Sequence, residues 1–209
     1  MAGRVADLRT RIAGHAPGRN VELVAVTKGF GPDAVLAAAA AGCTMVGENY
    51  AQEARAKLAA AGDVGVRLHF IGNLQSNKVR QLAPIVDVWE SIDRPSLLGE
   101  VAKRRPGATV LVQVNAAGEA GKGGCRPEAV ADLVREALDL GLDVDGLMAV
   151  GPTSGEPGAT RRAFELTRSL TSELDLPTCS MGMSHDLEIA LECGATRVRI
   201  GTALFGERH

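Results

Sequence analysis

Aromatic side chains are scarce in this chain: one Trp, one Tyr and four Phe make up 3% of its 209 residues. Neither charge sign dominates, with 23 Lys and Arg against 25 Asp and Glu for a net charge of −2, and there is no basic block and no basic–aromatic interleaving. A phosphate backbone would find little to hold, so no nucleic-acid partner is expected. Cys43, Cys125, Cys179 and Cys193 are scattered without a C-x-x-C pair, and the first residues do not read as a secretory leader. Reduced thiols and a cytoplasmic location are the expectation. His15, His69, His185 and His209 lack metal-ligand spacing, so no metal is expected. The longest apolar run, 35–41, is mostly alanine and far short of the roughly 20 residues of a membrane-spanning helix, which predicts a soluble protein with no membrane partner.

What is present is a hydrophobic content of 45%, enough for a sizeable core in a length that suits one domain over residues 1–209. The chain is organised around 21–29, VELVAVTKG, an apolar β-branched run that ends on Thr27 and Lys28. This pattern predicts a strand with a lysine at its mouth. Before it, apolar positions at helical spacing over 5–12 predict a short amphipathic helix. After it, the same rhythm of strand, polar tip and helix recurs. Further strands are predicted at 43–47, 67–71, 86–92, 109–114, 144–150, 178–183 and 197–200. Helices between them are marked by Pro, Ser and Gly punctuation, for example over 51–61, 127–140, 162–174 and 185–193. Alternation of this kind implies parallel strands joined by crossover helices, and eight strands close a (β/α)8 TIM barrel. A doubly wound open sheet is the alternative, but no G-x-G-x-x-G follows the first strand. No helix is evident after the eighth strand, and the extra N-terminal helix is expected to cover that gap beside the first strand.

In a barrel, chemistry collects at the C-terminal strand ends, and phosphate is often gripped after strands seven and eight. Those ends read Met181-Gly182-Met183-Ser184 and Arg199-Ile200-Gly201-Thr202. Each combines a glycine, for close backbone approach, with a hydroxyl, and Ser184 is expected to open a helix whose N-terminus favours an anion. Taken singly, Ser184 is as well explained as a cap and Gly201 as a turn. Lys28 adjoins this cup around the closed ring. A desolvated lysine forms Schiff bases with aldehydes. Anion cup, amine and apolar floor together are what pyridoxal 5'-phosphate (PLP) requires. Arg199, if it points inward, would donate to the pyridine nitrogen and weaken the ring as an electron sink. Spacing alone leaves a solvated strand-end lysine equally open.

The segments LVAVTK, VGENYAQEA, LHFIGNLQSNK, VLVQVNAAGEAGKGG, GLMAV, CSMGMSHDLEIA and VRIGTALFGER resemble, in their order, the motifs of the PLP homeostasis proteins, the YggS/PROSC family. The likeness spans nearly the whole chain. It implies a barrel of the alanine racemase N-terminal-domain type and PLP held as a Schiff base. Lys28 matches the family's cofactor lysine, Ser184, Gly201 and Thr202 its phosphate contacts, and Arg199 the arginine facing the pyridine nitrogen. Asn49 matches a residue beside the ring, and Met183 contributes backbone near the phosphate. The segment between Met148 and Cys179 is shorter than the family pattern, and His185 stands where a small or acidic residue is usual.

The resemblance implies a PLP carrier without robust catalysis, with PLP-dependent apoenzymes as candidate recipients and no catalytic residue assigned; a barrel that needs no partner to complete its site is expected to work as a monomer. The alternative is an amino-acid racemase, which needs bases on both faces of Cα, and Tyr50 is the only tyrosine. A Schiff-base sugar aldolase also fits the cup and the amine, but lacks a strand-end carboxylate beyond Glu48 and Asp93. His185 reads more simply as a solvated first-turn residue, Lys122 as an ordinary lysine in a glycine-rich loop, and His69 and Trp89 as core. Asn73, Gln75, Asn77 and Lys78 read equally as rim recognition or helix capping.

Overall fold

A computed structural model describes residues 1–207; the last two positions of the expected domain, 208 and 209, lie outside the described residues. Strands β1 (Glu22–Val26), β2 (Met45–Glu48), β3 (Arg67–Phe70), β4 (Val88–Ile92), β5 (Thr109–Val114), β6 (Asp143–Ala149), β7 (Thr178–Ser180) and β8 (Arg197–Ile200) follow one another around a closed barrel. All neighbours pair in parallel. Helix α1 (Ala2–His15) precedes the barrel. Crossovers are made by α2 (Asp33–Ala40), α3 (Ala51–Ala61), α4 (Ser76–Leu82), α5 (Pro95–Arg104), α6 (Val130–Asp139), α7 (Pro157–Glu173) and α8 (Leu187–Glu192), and α9 (Thr202–Phe205) follows β8. The (β/α)8 barrel read from the strand–helix rhythm is the fold.

The helix layer explains the apolar spacing. Val5, Leu8 and Ile12 of α1 are buried, each worth about 1.5–3 kcal/mol as an upper estimate. They press the helix against α8 and α9, beside the closure of the ring. Arg4 Nη1 donates to the Leu204 carbonyl of α9 at 2.7 Å, and Arg9 Nη2 donates to the Gly42 carbonyl after α2 at 2.8 Å, so α1 covers the gap as expected. The interior of the barrel is mixed: Val88, Leu111 and Met148 form a small apolar cluster of their own, while buried His69, Glu90, Ser180, Arg197 and Arg199 supply polar groups.

Two expectations at the closing strands are corrected. Strand β7 ends at Ser180 rather than at 183, because Gly182 takes φ 98° and turns the chain. A Cβ there would lie 2.6 Å from Ala190 Cβ, so only glycine lets the turn pack on α8. The helix after it begins at Leu187, not beside Ser184. The side chain that ties that loop is Asp186, whose Oδ1 accepts from the Met183 N–H at 2.6 Å. Ser184 Oγ instead accepts from the Ala203 N–H at 3.2 Å, joining the loop to α9, the one-turn helix missing from the sequence reading.

Candidate functional site

Because β1 and β8 pair with Val24 opposite Arg199 and Ala25 opposite Ile200, Lys28 and the Gly201–Thr202 turn leave the barrel side by side. They open on a cavity of about 340 Å³ at the C-terminal mouth. Lys28, Asn49, Met183, Ser184, Arg199, Gly201 and Thr202 all line it, so the seven residues expected to act together are brought together. Val26, Ile71 and Val150 give it an apolar floor, with Phe30 and His185 at its sides. The volume suits a small ligand rather than a polymer.

Lys28 sits half-buried in the turn after β1. The residues on both sides of it are tethered to α3. Lys57, buried on that helix, donates to the Thr27 carbonyl at 2.7 Å, to Glu48 Oε1 at 2.8 Å and to Glu53 Oε2 at 3.0 Å. Thr27 Oγ1 donates to the same Glu48 oxygen at 2.6 Å, and the Gly29 N–H donates to Glu53 Oε2 at 2.9 Å. Burial raises the pKa of the Glu48 carboxyl, while the hydrogen bonds from Lys57 and Thr27 pull against that rise. The result is a fixed loop from which the Lys28 side chain reaches the cavity.

Arg199 is almost fully buried and points into the barrel. Its Nη1 donates to the Ser180 carbonyl at 2.8 Å and to Ser180 Oγ at 2.7 Å, and its Nη2 donates to the Ala149 carbonyl at 2.8 Å. Ser180 Oγ in turn donates to Glu90 Oε2 at 2.6 Å, and Glu90 Oε1 lies 2.6 Å from His69 Nδ1. Burial pushes the Glu90 carboxyl up, but the bond to His69 and the charges of His69, Arg199 and Arg197 outweigh it and hold the carboxyl at about 2. Burial lowers Arg199 from the usual arginine value, against the opposing pull of Glu90 and Asp186.

At the third side, Ser184 is fixed by its bond to α9, and Thr202 is the first residue of that helix, so its N–H has no acceptor within it. Asn49 Oδ1 is buried with no hydrogen-bond partner among the described residues, leaving an acceptor in the cavity wall. Its backbone is held by Gly72, where a Cβ would come within 2.1 Å of the Asn49 carbonyl oxygen. His185 lies on the loop before α8 rather than in the helix, exposed and 3.4 Å from Asp186 Oδ2, and it lines the cavity.

Other singled-out residues fall elsewhere. Lys122 donates to the Gly151 carbonyl at 2.5 Å and pairs with Glu119 at 3.1 Å, tying two loops rather than lining the cavity. Asn73, Gln75 and Lys78 line a separate groove with Tyr50. His69 and Trp89 are fully buried, but His69 belongs to the Glu90 cluster. Lys57, Glu90 and Ser180 are supports that the sequence reading missed. A visible signal for Glu90 was a carboxylate inside the otherwise strand-like VWESI run.

The model of the alanine racemase N-terminal domain matches residues 5–209. A protein of Pseudomonas aeruginosa named pyridoxal phosphate homeostasis protein is 44% identical over 212 residues, covering 96% of this chain and 91% of the relative. One of the same name from Escherichia coli is 35% identical over 229 residues, covering 100% and 97%. The structure of PipY from Synechococcus elongatus with PLP bound superposes with a TM-score of 0.87 at 32% identity, covering 98% of this chain and 99% of that one.

Proposed function

The chain belongs to the pyridoxal phosphate homeostasis proteins, built on the alanine racemase N-terminal domain, and from that premise we propose that it binds PLP reversibly on Lys28. The observation that carries this is the convergence of Lys28, Arg199, Ser184 and Thr202 on one cavity of about 340 Å³. The donor set fits the group. An amine meets the aldehyde, hydroxyls and the first N–H of α9 meet the phosphate, an arginine meets the pyridine nitrogen, and Asn49 with the Val26–Ile71–Val150 floor flanks the ring. Bound PLP supplies an electrophilic aldehyde and an electron-sink ring. Lys28 would meet that aldehyde with its amine, while Met183, Ser184, Gly201 and Thr202 would hold the phosphate end.

Arg199 would donate to the pyridine nitrogen and weaken the ring as an electron sink, a feature that does not by itself separate a holder of PLP from a racemase. The names of the relatives support a role in PLP homeostasis. In this role the protein is a cytoplasmic monomer that limits free aldehyde and passes PLP to apoenzymes, residues 1–209 forming one binding domain. Tyr50, the one tyrosine, is exposed in the neighbouring groove rather than in the cavity, and this argues against a racemase with a tyrosine base. A racemase reading retains one specific support: His185 shares the cavity with Lys28.

The test is the absorption spectrum of the protein with PLP, before and after borohydride reduction, for the wild type and Lys28→Ala. A shifted visible band that is trapped on the Lys28 peptide and lost in the variant is the expected result. Absence of the band in the wild type would overturn the reading. Exchange of the alanine Cα proton with deuterium, lost in His185→Gln, would favour the racemase.

A further inference from the structure

Arg199 is one end of a polar column that runs through the barrel. From the cavity it descends to Ser180 on β7, Glu90 on β4, His69 on β3 and Arg197 on β8, and it ends at Glu22 and Asp145 on the floor. The upper members are almost fully buried, at 0–4% exposure. Barrel interiors are ordinarily filled by branched apolar side chains, and burying charge is costly unless each is paired. Replacing this column by packed apolar residues would be neutral or stabilising on general grounds, so its retention points away from stability and towards Arg199. Three of the guanidinium N–H contacts are spent downwards, on the Ser180 carbonyl, Ser180 Oγ and the Ala149 carbonyl, which leaves the rest of the group to the cavity. Glu90 Oε2 stops 4.0 Å short of Arg199 Nη1, with the Ser180 hydroxyl bridging them.

Resting on the reading of the cavity as a PLP site, we propose that Glu90 and Ser180 are positioning residues. Glu90 sets how much positive charge Arg199 presents to the bound cofactor, and the Ser180 hydroxyl holds that carboxylate at arm's length. A direct Arg199–Glu90 pair would draw the guanidinium down and neutralise it. Loss of the carboxylate would leave the guanidinium charge unbalanced beside the ring. The charged or titratable groups facing Arg199 are Glu90, Asp186, Cys179 and Arg197, and those facing Glu90 are His69, Arg197 and Arg199.

The experiment is a pH titration of the visible band of the PLP-loaded protein in the wild type, Glu90→Gln and Ser180→Ala, with the thermal stability of each unloaded protein as a control. Glu90→Gln makes the surroundings of the cofactor more positive, so the cationic form of the bound group is disfavoured and the band midpoint falls, by about 1.5 pH units if one charge acts over about 8 Å at an effective dielectric near 20. Ser180→Ala lets Glu90 close on Arg199, and the midpoint rises. Opposite shifts establish the proposal, because a purely structural role moves both variants the same way or neither. Shifts of the same sign, or none, with a normal wild-type band overturn it and leave the PLP site standing. If Glu90→Gln does not fold, the direction of the Ser180→Ala shift decides alone. A wild type without a band overturns the PLP reading itself, and this proposal with it.

Discussion

Replacing Lys57 by Met tests the tether under Lys28. The ammonium is buried, with side-chain exposure of 5% for Lys57 and 0% for its partner Glu48, at 2.8 Å. Removing one member of a buried pair strands the other, at about 3–5 kcal/mol. The unmet Thr27 carbonyl adds about 1 kcal/mol, while the Met side chain keeps the packing of the lysine stem and Glu48 escapes part of its penalty by taking up a proton. The expected net loss is about 3–4 kcal/mol in urea unfolding at neutral pH. A second substitution, Glu48→Gln, removes the stranded charge, so the double variant should recover roughly half of that loss. The pH dependence has a definite sign. Burial already raises the folded-state pKa of Glu48, and loss of Lys57 raises it further. The folded variant then binds a proton that its unfolded chain has released, so its deficit against the wild type grows as pH rises above the ordinary carboxylate range and shrinks below it. Loosening of the Thr27 carbonyl should also slow capture of PLP by Lys28. A deficit under about 1 kcal/mol, or one that is flat with pH, would refute the buried tether.

Gly182→Ala must hold φ 98° with a Cβ 2.6 Å from Ala190 Cβ, and should cost about 2–4 kcal/mol by thermal unfolding while displacing the Met183–Ser184 loop. Gly72→Ala places a Cβ 2.1 Å from the Asn49 carbonyl oxygen, so the Asn49 loop must move, and PLP titration should show roughly tenfold weaker binding. Glu90 is depressed to about 2 from 4.5, so its stabilising contribution is present above about pH 4.5 and drains away towards pH 2. Urea midpoints measured across that window should fall more steeply for the wild type than for Glu90→Gln, and parallel curves would contradict the charged Glu90 cluster.

The strands were legible where β-branched runs end on a polar tip: β5 and β8 occupy the predicted 109–114 and 197–200. Local chemistry moved other boundaries. Helix α7 starts at Pro157, five residues before the predicted 162, because Glu156 caps it by accepting from the Gly158 and Ala159 N–H groups. That Glu-Pro start was readable, since Pro favours the first helical position. Helix α9 is a single turn, too short for periodicity to announce. The cavity residues were legible because strand ends are polar interruptions in apolar runs. Their supports were not. In parallel strands both faces are buried, so alternation does not separate the lumen from the helix side, and His69 read as core. Lys57 has the i, i+4 spacing to Glu53 of a surface pair, and nothing local shows that it turns inward to Glu48.

Two separate buried ion clusters hold the two chemically active groups of the cavity. Lys57, Glu48 and Thr27 fix the turn that carries Lys28, while Glu90, Ser180 and His69 fix Arg199. Beside the Glu90 cluster, Val88, Leu111 and Met148 form a small apolar group against which Val150 packs. An apolar interior of the same volume would fold at least as well but would let a lysine and an arginine, both rich in rotamers, wander around the mouth. Glu48 acts on Lys28 only through the backbone beside it, by way of Lys57 and Thr27, whereas Glu90 acts on the Arg199 guanidinium through the Ser180 hydroxyl. Glu48 stands behind the lysine side and Glu90 behind the arginine side. A site built in this way is set for a fixed pose of one anionic aldehyde.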